Sequence, residues 1–381
     1  MLRTALTNID HPNYRIYVGT YPNDRATVDA VAAVATDDSR VRLVVGPQNG
    51  PTTKADCLNA LWRALLRDEL AEGARAKAIL LHDAEDVVHP GELRVIDMLI
   101  ERHAAVQIPV LPLVAPGSRL VSGHYCDEFA EAHGKSLVVR QALGAGMPLA
   151  AVGCAVARAA LQRIADEANG APFDATSLTE DYEMGLHIAQ RGGTTVIARV
   201  RERRGGQLVA VRAYFPGTVH TAVRQKARWM TGIALSGWDR IGWGRRFDWG
   251  DHWMRMRDRR APVSVIVLAI AYCAIVAWSL ALTGHAIGGT APPPIAPVLA
   301  TLLTINAGLL AWRLTMRAAF TGLAYGPREA MWSLPRAFVG NVIGLLAARR
   351  AVLRYIAMLR GAAPVWDKTA HHFPVQPPTL R

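Results

Sequence analysis

The sequence predicts an α/β domain followed by a hairpin of two membrane helices. Residues 1 to about 235 alternate short apolar runs with helical stretches at ordinary charge density. Residues 262–312 contain no Asp, Glu, Lys or Arg, a longer run than the roughly 20 apolar residues that cross a bilayer. The 381-residue chain is 51% hydrophobic and only 19% charged. This composition excludes a disordered or low-complexity protein.

The candidate strands of the α/β region are short and apolar and end at polar or glycine residues. They cover residues 14–18, 41–45 and 78–82, and helical stretches cover residues 26–35 and 53–70 between them. Strands that alternate with helices in this way predict a largely parallel sheet. Ligands of such sheets bind beyond the carboxyl ends of the strands.

The charge-free region divides into two candidate membrane spans, residues 263–283 and 295–312, joined by a loop with three consecutive prolines. Arginines flank both ends of this hairpin while the loop has none, so both ends are predicted to face the cytoplasm. A buried hairpin in a soluble core is disfavoured, because soluble helices rarely run this long without a charged face. Residues 236–261 and 334–359 mix arginines with apolar residues and are predicted to lie in the membrane interface.

The net charge of +12 is almost wholly arginine, since lysine occurs at only five positions. Such an excess suits an anionic partner: nucleic acid, a diphosphate ligand or anionic lipid. The arginines cluster beside apolar spans rather than on a recognisable nucleic-acid module, so membrane lipid is favoured and nucleic acid is not expected. The four scattered cysteines contain no CxxC pair, which argues against a disulfide framework or a structural zinc site.

The first candidate motif is DAED at residues 83–86, directly after an apolar strand. Three carboxylates in one loop are costly unless a positive group binds there. Mg²⁺ or Mn²⁺ would suit this loop, because such ions take hard oxygen ligands and keep positions for substrate phosphates. A solvated acidic turn before the next helix is the alternative that this motif alone leaves open.

Two further motifs follow. In Thr-Glu-Asp at residues 179–181, Asp181 is a candidate general base, although a helix N-cap with favourable acids explains the tripeptide equally simply. In QKARW at residues 225–229, Arg228 can clamp a diphosphate with its planar fork, and Trp229 offers a flat apolar face to a sugar ring. A basic amphipathic segment at a membrane surface is the alternative.

The chain carries DAED, TED and QxxRW in this order, followed by apolar spans. This series of motifs resembles that of family 2 glycosyltransferases of the processive, cellulose-synthase-like type. The resemblance is greater still to the bacterial membrane glycosyltransferases of the phage adsorption protein B group. KADCLNAL at residues 54–61 resembles a KAGNLNxAL segment near the nucleotide, and WDKTAH at residues 366–371 resembles a WxKTxH segment that closes over the nucleotide in relatives. The resemblance covers nearly the whole chain.

The resemblance implies a GT-A fold, inverting sugar transfer from a nucleotide-diphosphate donor, with a UDP-sugar favoured, and a glycan acceptor. It implies that Asp83 and Glu85 hold Mg²⁺ or Mn²⁺ against the diphosphate. Asp181 would deprotonate the acceptor hydroxyl, while Arg228 would hold diphosphate charge and Trp229 would face the acceptor sugar. The further substrate-binding candidates are Lys54, Glu180, Gln225, Lys368 and Thr369.

These expectations divide the chain into a GT-A catalytic domain, an interfacial segment, two transmembrane helices and a C-terminal part with an interfacial helix and a gating-type segment, at residues 1–235, 236–261, 262–314 and 315–381. The catalytic domain is expected on the cytoplasmic side of a bacterial inner membrane. Met1 falls after a strand and acidic loop that relatives carry, so the N-terminal strand is expected to be missing. Processive synthesis of an exported polysaccharide, with an export or outer-membrane partner protein, is left open.

Two other functions are also left open. The expected missing strand suggests a non-catalytic component of an envelope or export assembly that retains a glycosyltransferase body. The presence of Asp181, Arg228 and Trp229 opposes this, because such a component has no physical need for them. A transferase of single sugars to a lipid-phosphate acceptor would also carry a DxD-like motif, but QxxRW favours the polymerising branch.

Overall fold

The structure, a computed structural model, describes residues 1–363 as an α/β region followed by a helical region. The α/β region contains, in order, α1 (Leu2–Asn8), β1 (Ile16–Thr20), α2 (Arg25–Asp37), β2 (Val41–Val45), α3 (Lys54–Glu72), β3 (Ala78–Leu81), α4 (Glu92–Leu99), β4 (Ala105–Gln107), α5 (Gly123–Glu131), α6 (Leu137–Ala142), β5 (Cys154–Ala157), α7 (Arg158–Glu167), α8 (Glu180–Gln190), β6 (Thr195–Ile197) and α9 (Val219–Trp229). The helical region contains α10 (Gly237–Ile241), α11 (Trp249–Arg259), α12 (Ala261–Ile287), α13 (Pro297–Tyr325) and α14 (Pro327–Leu359). Two π-helical segments, Ala132–Ser136 and Met230–Ser236, follow α5 and α9 directly.

The strands of the described residues form two sheets. β1 and β2 pair in parallel, with Ile16 opposite Val41. The second sheet has the order β3-β5-β4-β6, in which β5 is antiparallel to both of its neighbours and β4 is parallel to β6. The prediction of a largely parallel sheet is therefore wrong for the second sheet. The reason is that β5, a four-residue apolar run with no separate sequence signal, inserts between β3 and β4 in the opposite direction.

The second sheet is covered on both faces, because successive side chains of a strand point to opposite sides. From β5, Cys154 and Val156 join a cluster with Trp62 of α3 and Leu161 of α7, while Ala155 joins the cluster on the other face. Full burial of a large apolar side chain contributes about 1.5–3 kcal/mol. This packing fixes the carboxyl end of β3 beside the first turns of α3 and α8.

Helices α12 and α13 are long and apolar enough to cross a membrane. They contain 27 and 29 residues, and the most apolar 18-residue stretch of each has a mean hydropathy of 2.6 and 1.4, respectively. Neither stretch is buried against the rest of the described chain. At a rise of 1.5 Å per residue each is about 40 Å long, against about 30 Å for the hydrocarbon core. The predicted spans at residues 263–283 and 295–312 fall within the two helices, apart from the first two residues of the second span.

Helix α14 packs against the α/β region along much of its length. Arg336 is fully buried, donates a hydrogen bond to Asp127 of α5 at 3.2 Å, and forms an ion pair with Glu329. The buried apolar side of the same helix contains Ile343, Ala347 and Ala351. The interfacial position of residues 334–359 and the predicted domain boundaries stay predictions. Arg336, however, faces protein rather than the membrane surface.

Candidate active site

The candidate site begins at the carboxyl end of β3, where Asp83 follows the strand. Its backbone N–H donates to the Asp86 carboxylate at 2.8 Å. The side chain of Asp83 is 39% exposed and forms an ion pair with the ammonium group of Lys54. The strand thus delivers a solvent-accessible carboxylate that is already next to a cation.

Lys54 reaches Asp83 from the first turn of α3. Thr53 caps this helix, because its hydroxyl accepts from the backbone N–H of Asp56 while the Asp56 carboxylate accepts from the backbone N–H of Thr53. This reciprocal capping box satisfies two of the free N–H groups at the helix start. Burial would lower the pKa of Lys54, but Asp83 and the two acids of the Thr-Glu-Asp segment raise it above its ordinary value. Lys54 therefore remains a fixed positive charge.

Glu180 and Asp181 are the first two residues of α8. Burial raises the pKa of the Glu180 carboxyl to about 7, with a further contribution from the charge of Asp181. Burial also raises the pKa of Asp181, and the charge of Lys54 partly opposes it. Within residues 1–363, Glu180 Oε2 is buried without a hydrogen-bond partner. A carboxyl group whose pKa is raised has a greater proton affinity, as a general base requires.

Lys54, Glu180 and Asp181 line one small cavity, and its remaining wall is apolar. The apolar lining consists of Leu58, Leu81, Leu149, Ala151, Cys154, Phe173 and Met184. Charges interact more strongly in such surroundings than in water, because the local dielectric constant is lower. In this cavity the ammonium group of Lys54, from the KADCLN segment, therefore interacts strongly with the carboxylates of Glu180 and Asp181.

A larger cleft of about 650 Å³ lies at the carboxyl ends of β1 and β2. Its lining includes Thr20 and Tyr21 after β1, Asn59 of α3, and Glu180 of α8. Glu180 lines both cavities, so the cleft and the small cavity are neighbours. The volume of the cleft falls within the ≈ 300–1,000 Å³ of typical small-molecule sites. Asp83 and Asp181, in contrast, do not line the cleft.

The QKARW segment ends α9 and lies against the Thr-Glu-Asp segment. Burial raises the pKa values of Glu180 and Asp181, and the charge of Arg228 partly opposes both shifts. The π-helical segment after α9 approaches even more closely, since a Cβ atom on Gly232 would lie 2.4 Å from Thr179 Oγ1. Only glycine fits this contact, which brings the two motifs together.

Trp229 packs on the protein interior through part of its ring. The ring lies edge-on to Tyr125, with centroids 6.1 Å apart, and its centroid is 6.3 Å from that of Phe129. Gln225, one helical turn earlier, is 4% exposed, and its side-chain oxygen has no hydrogen-bond partner in the described part of the chain. The predicted contact between Trp229 and an acceptor sugar stays a prediction.

The structure thus gathers Lys54, Asp83, Glu180, Asp181 and Arg228 from four separate segments. The role predicted for each of them remains untested. Lys368 and Thr369 lie outside the described residues.

Sequence reasoning missed two features of this site, the Gly232–Thr179 contact and a buried network behind the DAED loop. In the network, His82 lies between the carboxylates of Asp86 and Glu92. Burial would lower the pKa of His82, but these carboxylates raise it to about 10. The four-residue spacing of His82 and Asp86 is a weak signal for the network, and no local signal points to Gly232.

The donor set after β3 fits a divalent cation that also binds substrate. Asp83 and Glu85 offer hard carboxylate oxygens, and Mg²⁺ is commonly held by one or two carboxylates together with substrate phosphates. In residues 1–363 no group of three or more His, Cys, Asp or Glu side chains is placed to hold a metal ion. A cation at this loop would therefore need oxygen ligands from a bound phosphate or from water.

A mixed sheet with a carboxylate and a lysine at the carboxyl end of β3 is the arrangement expected of a glycosyltransferase with the GT-A fold. Residues 1–232 match the profile of the family described as "Glycosyltransferase like family 2", and the chain belongs to this family. The predicted family and fold are thereby confirmed.

Relatives and solved structures agree with this assignment. The chain is 36% identical, over 98% of its length, to bacteriophage adsorption protein B of Escherichia coli K12 and to bacteriophage N4 adsorption protein B of Escherichia coli O157:H7. It spans about half (53%) of the length of these relatives. A mannosyltransferase from Pyrobaculum calidifontis, solved with GDP-Man and Mn²⁺, has a similar fold, with a TM-score of 0.55 at 16% identity over 92% of this chain and 81% of that one.

Proposed function

We propose that the protein is a membrane-attached, inverting glycosyltransferase that moves a sugar from a nucleotide-diphosphate donor to a hydroxyl group of a glycan. The observation that carries this proposal is the meeting of two cations with two carboxylates. Lys54 forms an ion pair with Asp83 and shares one small cavity with Asp181, and the charges of Lys54 and Arg228 both act on the Asp181 carboxylate. The cations suit a diphosphate, and a buried carboxylate with a raised pKa suits a hydroxyl proton.

On the donor side, Lys54 and Arg228 hold the charge of the diphosphate. When bound at Asp83 and Glu85, a divalent cation supplies further positive charge against the leaving diphosphate. The neighbouring cleft has room for the nucleoside, and its position at the carboxyl ends of β1 and β2 is where α/β sheets bind ligands. A UDP-sugar is the proposed donor.

On the acceptor side, Asp181 is the base and Trp229 faces the acceptor sugar. As the acceptor oxygen forms a bond to the anomeric carbon, the bond from that carbon to the diphosphate oxygen breaks and the diphosphate leaves. The hydroxyl proton passes to the Asp181 carboxylate, whose burial favours the protonated product. Attack opposite the leaving group inverts the anomeric carbon.

The proposed location follows from α12 and α13. Arginines lie before the first apolar helix and after the apolar part of the second, and the loop between the helices has none. This distribution favours two membrane crossings, with the catalytic region and residue 363 both on the cytoplasmic side. The proposed membrane is the bacterial inner membrane. Synthesis of an exported polysaccharide, with an export partner, extends the same proposal.

The test of this function is Asp181→Asn in the full chain, with Asp29→Asn as a matched control on the exposed face of α2. Membranes are assayed for product from labelled UDP- and GDP-sugars with glycan and with lipid-phosphate acceptors, and nucleotide binding is followed by calorimetry. Loss of a general base lowers turnover about 10²–10⁴-fold, while nucleotide affinity stays within about threefold.

Three results would contradict the proposal. Retained turnover in Asp181→Asn would remove this residue from the base role. Loss of both turnover and nucleotide binding would make Asp181 structural. Nucleotide binding without transfer by the wild-type protein would favour a non-catalytic component.

A further inference from the structure

A buried chain of one histidine and two carboxylates lies behind the DAED loop and has no role in the proposed reaction. His82 Nδ1 is 3.0 Å from Asp86 Oδ2, and His82 Nε2 is 3.0 Å from Glu92 Oε1. The side chain of Asp86 is 2% exposed, that of Glu92 is fully buried, and that of His82 is 14% exposed. Both ring nitrogens are therefore engaged by carboxylates from which water is excluded.

This chain connects directly to the backbone of the predicted metal-binding loop. Asp86 Oδ2, which contacts His82, also accepts from the backbone N–H of Asp83 at 2.8 Å. In the reverse direction, the backbone N–H of Asp86 donates to the carbonyl of Asp83 at 3.1 Å. These two hydrogen bonds close a tight turn that fixes how Asp83 and Glu85 leave the strand.

At its other end the chain is anchored to a helix. Glu92 is the first residue of α4, and its second carboxylate oxygen accepts from the backbone N–H of His89 at 3.3 Å. His82 thus joins the DAED turn on one side to the start of α4 on the other. A movement of Asp86 would require movement of His82 against a fixed, fully buried partner.

Histidine is the residue type that this geometry requires. The two nitrogens of an imidazole ring point to opposite sides of a rigid plane, so one side chain can bind two acceptors in fixed positions. Glutamine has a single amide nitrogen, and lysine places one flexible point charge. Either replacement would hold the turn and the helix less firmly relative to each other.

We propose that His82 is a positioning residue, which through Asp86 and Glu92 holds Asp83 and Glu85 in the orientation that binds a divalent cation with the donor diphosphate. The metal in this inference rests on the proposed function. The turn that His82 holds does not, because its hydrogen bonds are observed. Loss of such a supporting contact typically weakens metal binding about 10–100-fold.

The experiment compares His82→Gln with wild type in the full chain. Mn²⁺ affinity is measured by electron paramagnetic resonance with UDP present, and amide hydrogen exchange is followed across residues 82–88. We expect about 10–100-fold weaker Mn²⁺ binding and faster exchange at the Asp83 amide. The matched control is His103→Gln. This histidine is half-buried and hydrogen-bonded to Thr194, and both readouts should stay at wild-type values.

A further variant, Asp83→Asn, separates the two proposals. If the wild-type protein binds Mn²⁺ and Asp83→Asn does not, the metal site itself is supported. If wild type binds no Mn²⁺, the metal part of the proposed function fails, and exchange at the Asp83 amide decides the positioning role. The inference would be overturned if His82→Gln showed the wild-type exchange rate at the Asp83 amide and a Mn²⁺ affinity within about threefold of wild type.

If His82→Gln does not fold, Asp86→Asn replaces it. Its amide oxygen, in the place of Oδ2, can accept from both Asp83 N–H and His82. The substitution therefore keeps the size of the side chain but removes its negative charge, which weakens the contact to His82. The expected result is about 10-fold weaker Mn²⁺ binding with faster exchange. Unchanged values for both readouts would overturn the inference equally.

Discussion

Replacement of Gly232 by alanine should uncouple the QKARW segment from the Thr-Glu-Asp segment. Gly232 lies in the π-helical segment after α9, and its added Cβ would meet Oγ1, Cγ2 and Cβ of Thr179 at 2.4, 2.7 and 3.1 Å. Thr179 is 3% exposed and directly precedes Glu180. The methyl group therefore has to displace either the start of α8 or the segment after α9.

The magnitude follows from these distances. Carbon atoms in favourable contact lie about 3.5–4.0 Å apart, so Gly232 and Thr179 must separate by about 1 Å. Overpacking of a buried site costs about 1–3 kcal/mol, and alanine recovers up to about 1 kcal/mol through its greater helix propensity. A net loss of about 1 kcal/mol in stability remains. A catalytic group displaced by about 1 Å can lose about 10²-fold in turnover.

The assay is a double-mutant cycle read by turnover and thermal midpoint. Thr179 Oγ1 has no hydrogen-bond partner within residues 1–363, so Thr179→Ala removes no described bond and should cost little. In the double variant, Thr179→Ala removes Oγ1 and Cγ2, the two atoms that lie nearest to the Cβ added by Gly232→Ala. Turnover of the double variant should return to within about threefold of Thr179→Ala alone, as expected for sites that share a contact.

The matched control is Gly344→Ala on α14, where nothing lies within 4 Å of the added Cβ. Its turnover should be unchanged and its stability should rise by about 0.5–1 kcal/mol. Wild-type turnover in Gly232→Ala would refute the reasoning. A double variant no more active than Gly232→Ala would show that the loss has another cause.

Two further predictions concern the helices after the catalytic region. Arg336→Met leaves the buried Asp127 without its ion-pair partner and should destabilise the protein by about 3–5 kcal/mol, seen as a lower thermal midpoint, whereas Arg349→Met at an exposed position should not. With Cys273 replaced by serine, Gly289→Cys should react with a membrane-impermeant thiol reagent once the outer membrane is permeabilised, and Ser39→Cys only after the inner membrane is opened. Equal midpoints in the first pair, or equal labelling in the second, would contradict these expectations.

Features that depend on neighbouring residues could be predicted from the sequence. The two membrane-length helices follow from a run of residues without charge, since apolar length is a local property. The helical stretch predicted from residue 53 and the apolar strand before Asp83 are local in the same sense. For this reason the candidate carboxylates were placed correctly at the end of a strand and at the start of a helix.

Features that depend on packing could not be predicted in this way. The antiparallel direction of β5 is decided by how the chain returns between β3 and β4, and four apolar residues do not encode a direction. Arg336 was expected at the membrane surface with the other arginines of its helix. It is buried because Asp127 and Glu329 provide partners, and an unpaired buried guanidinium would be far more costly.

The sequence by itself determined the family, the order of the three motifs and the two apolar helices, because each is written in residues close together in the chain. Only the tertiary structure decided that Lys54 meets Asp83 and that Gly232 touches Thr179. Such contacts join residues 29 and 53 positions apart. They form only when β3, α3, α8 and α9 pack around one core, since the free energy that holds them comes from the burial of the whole domain.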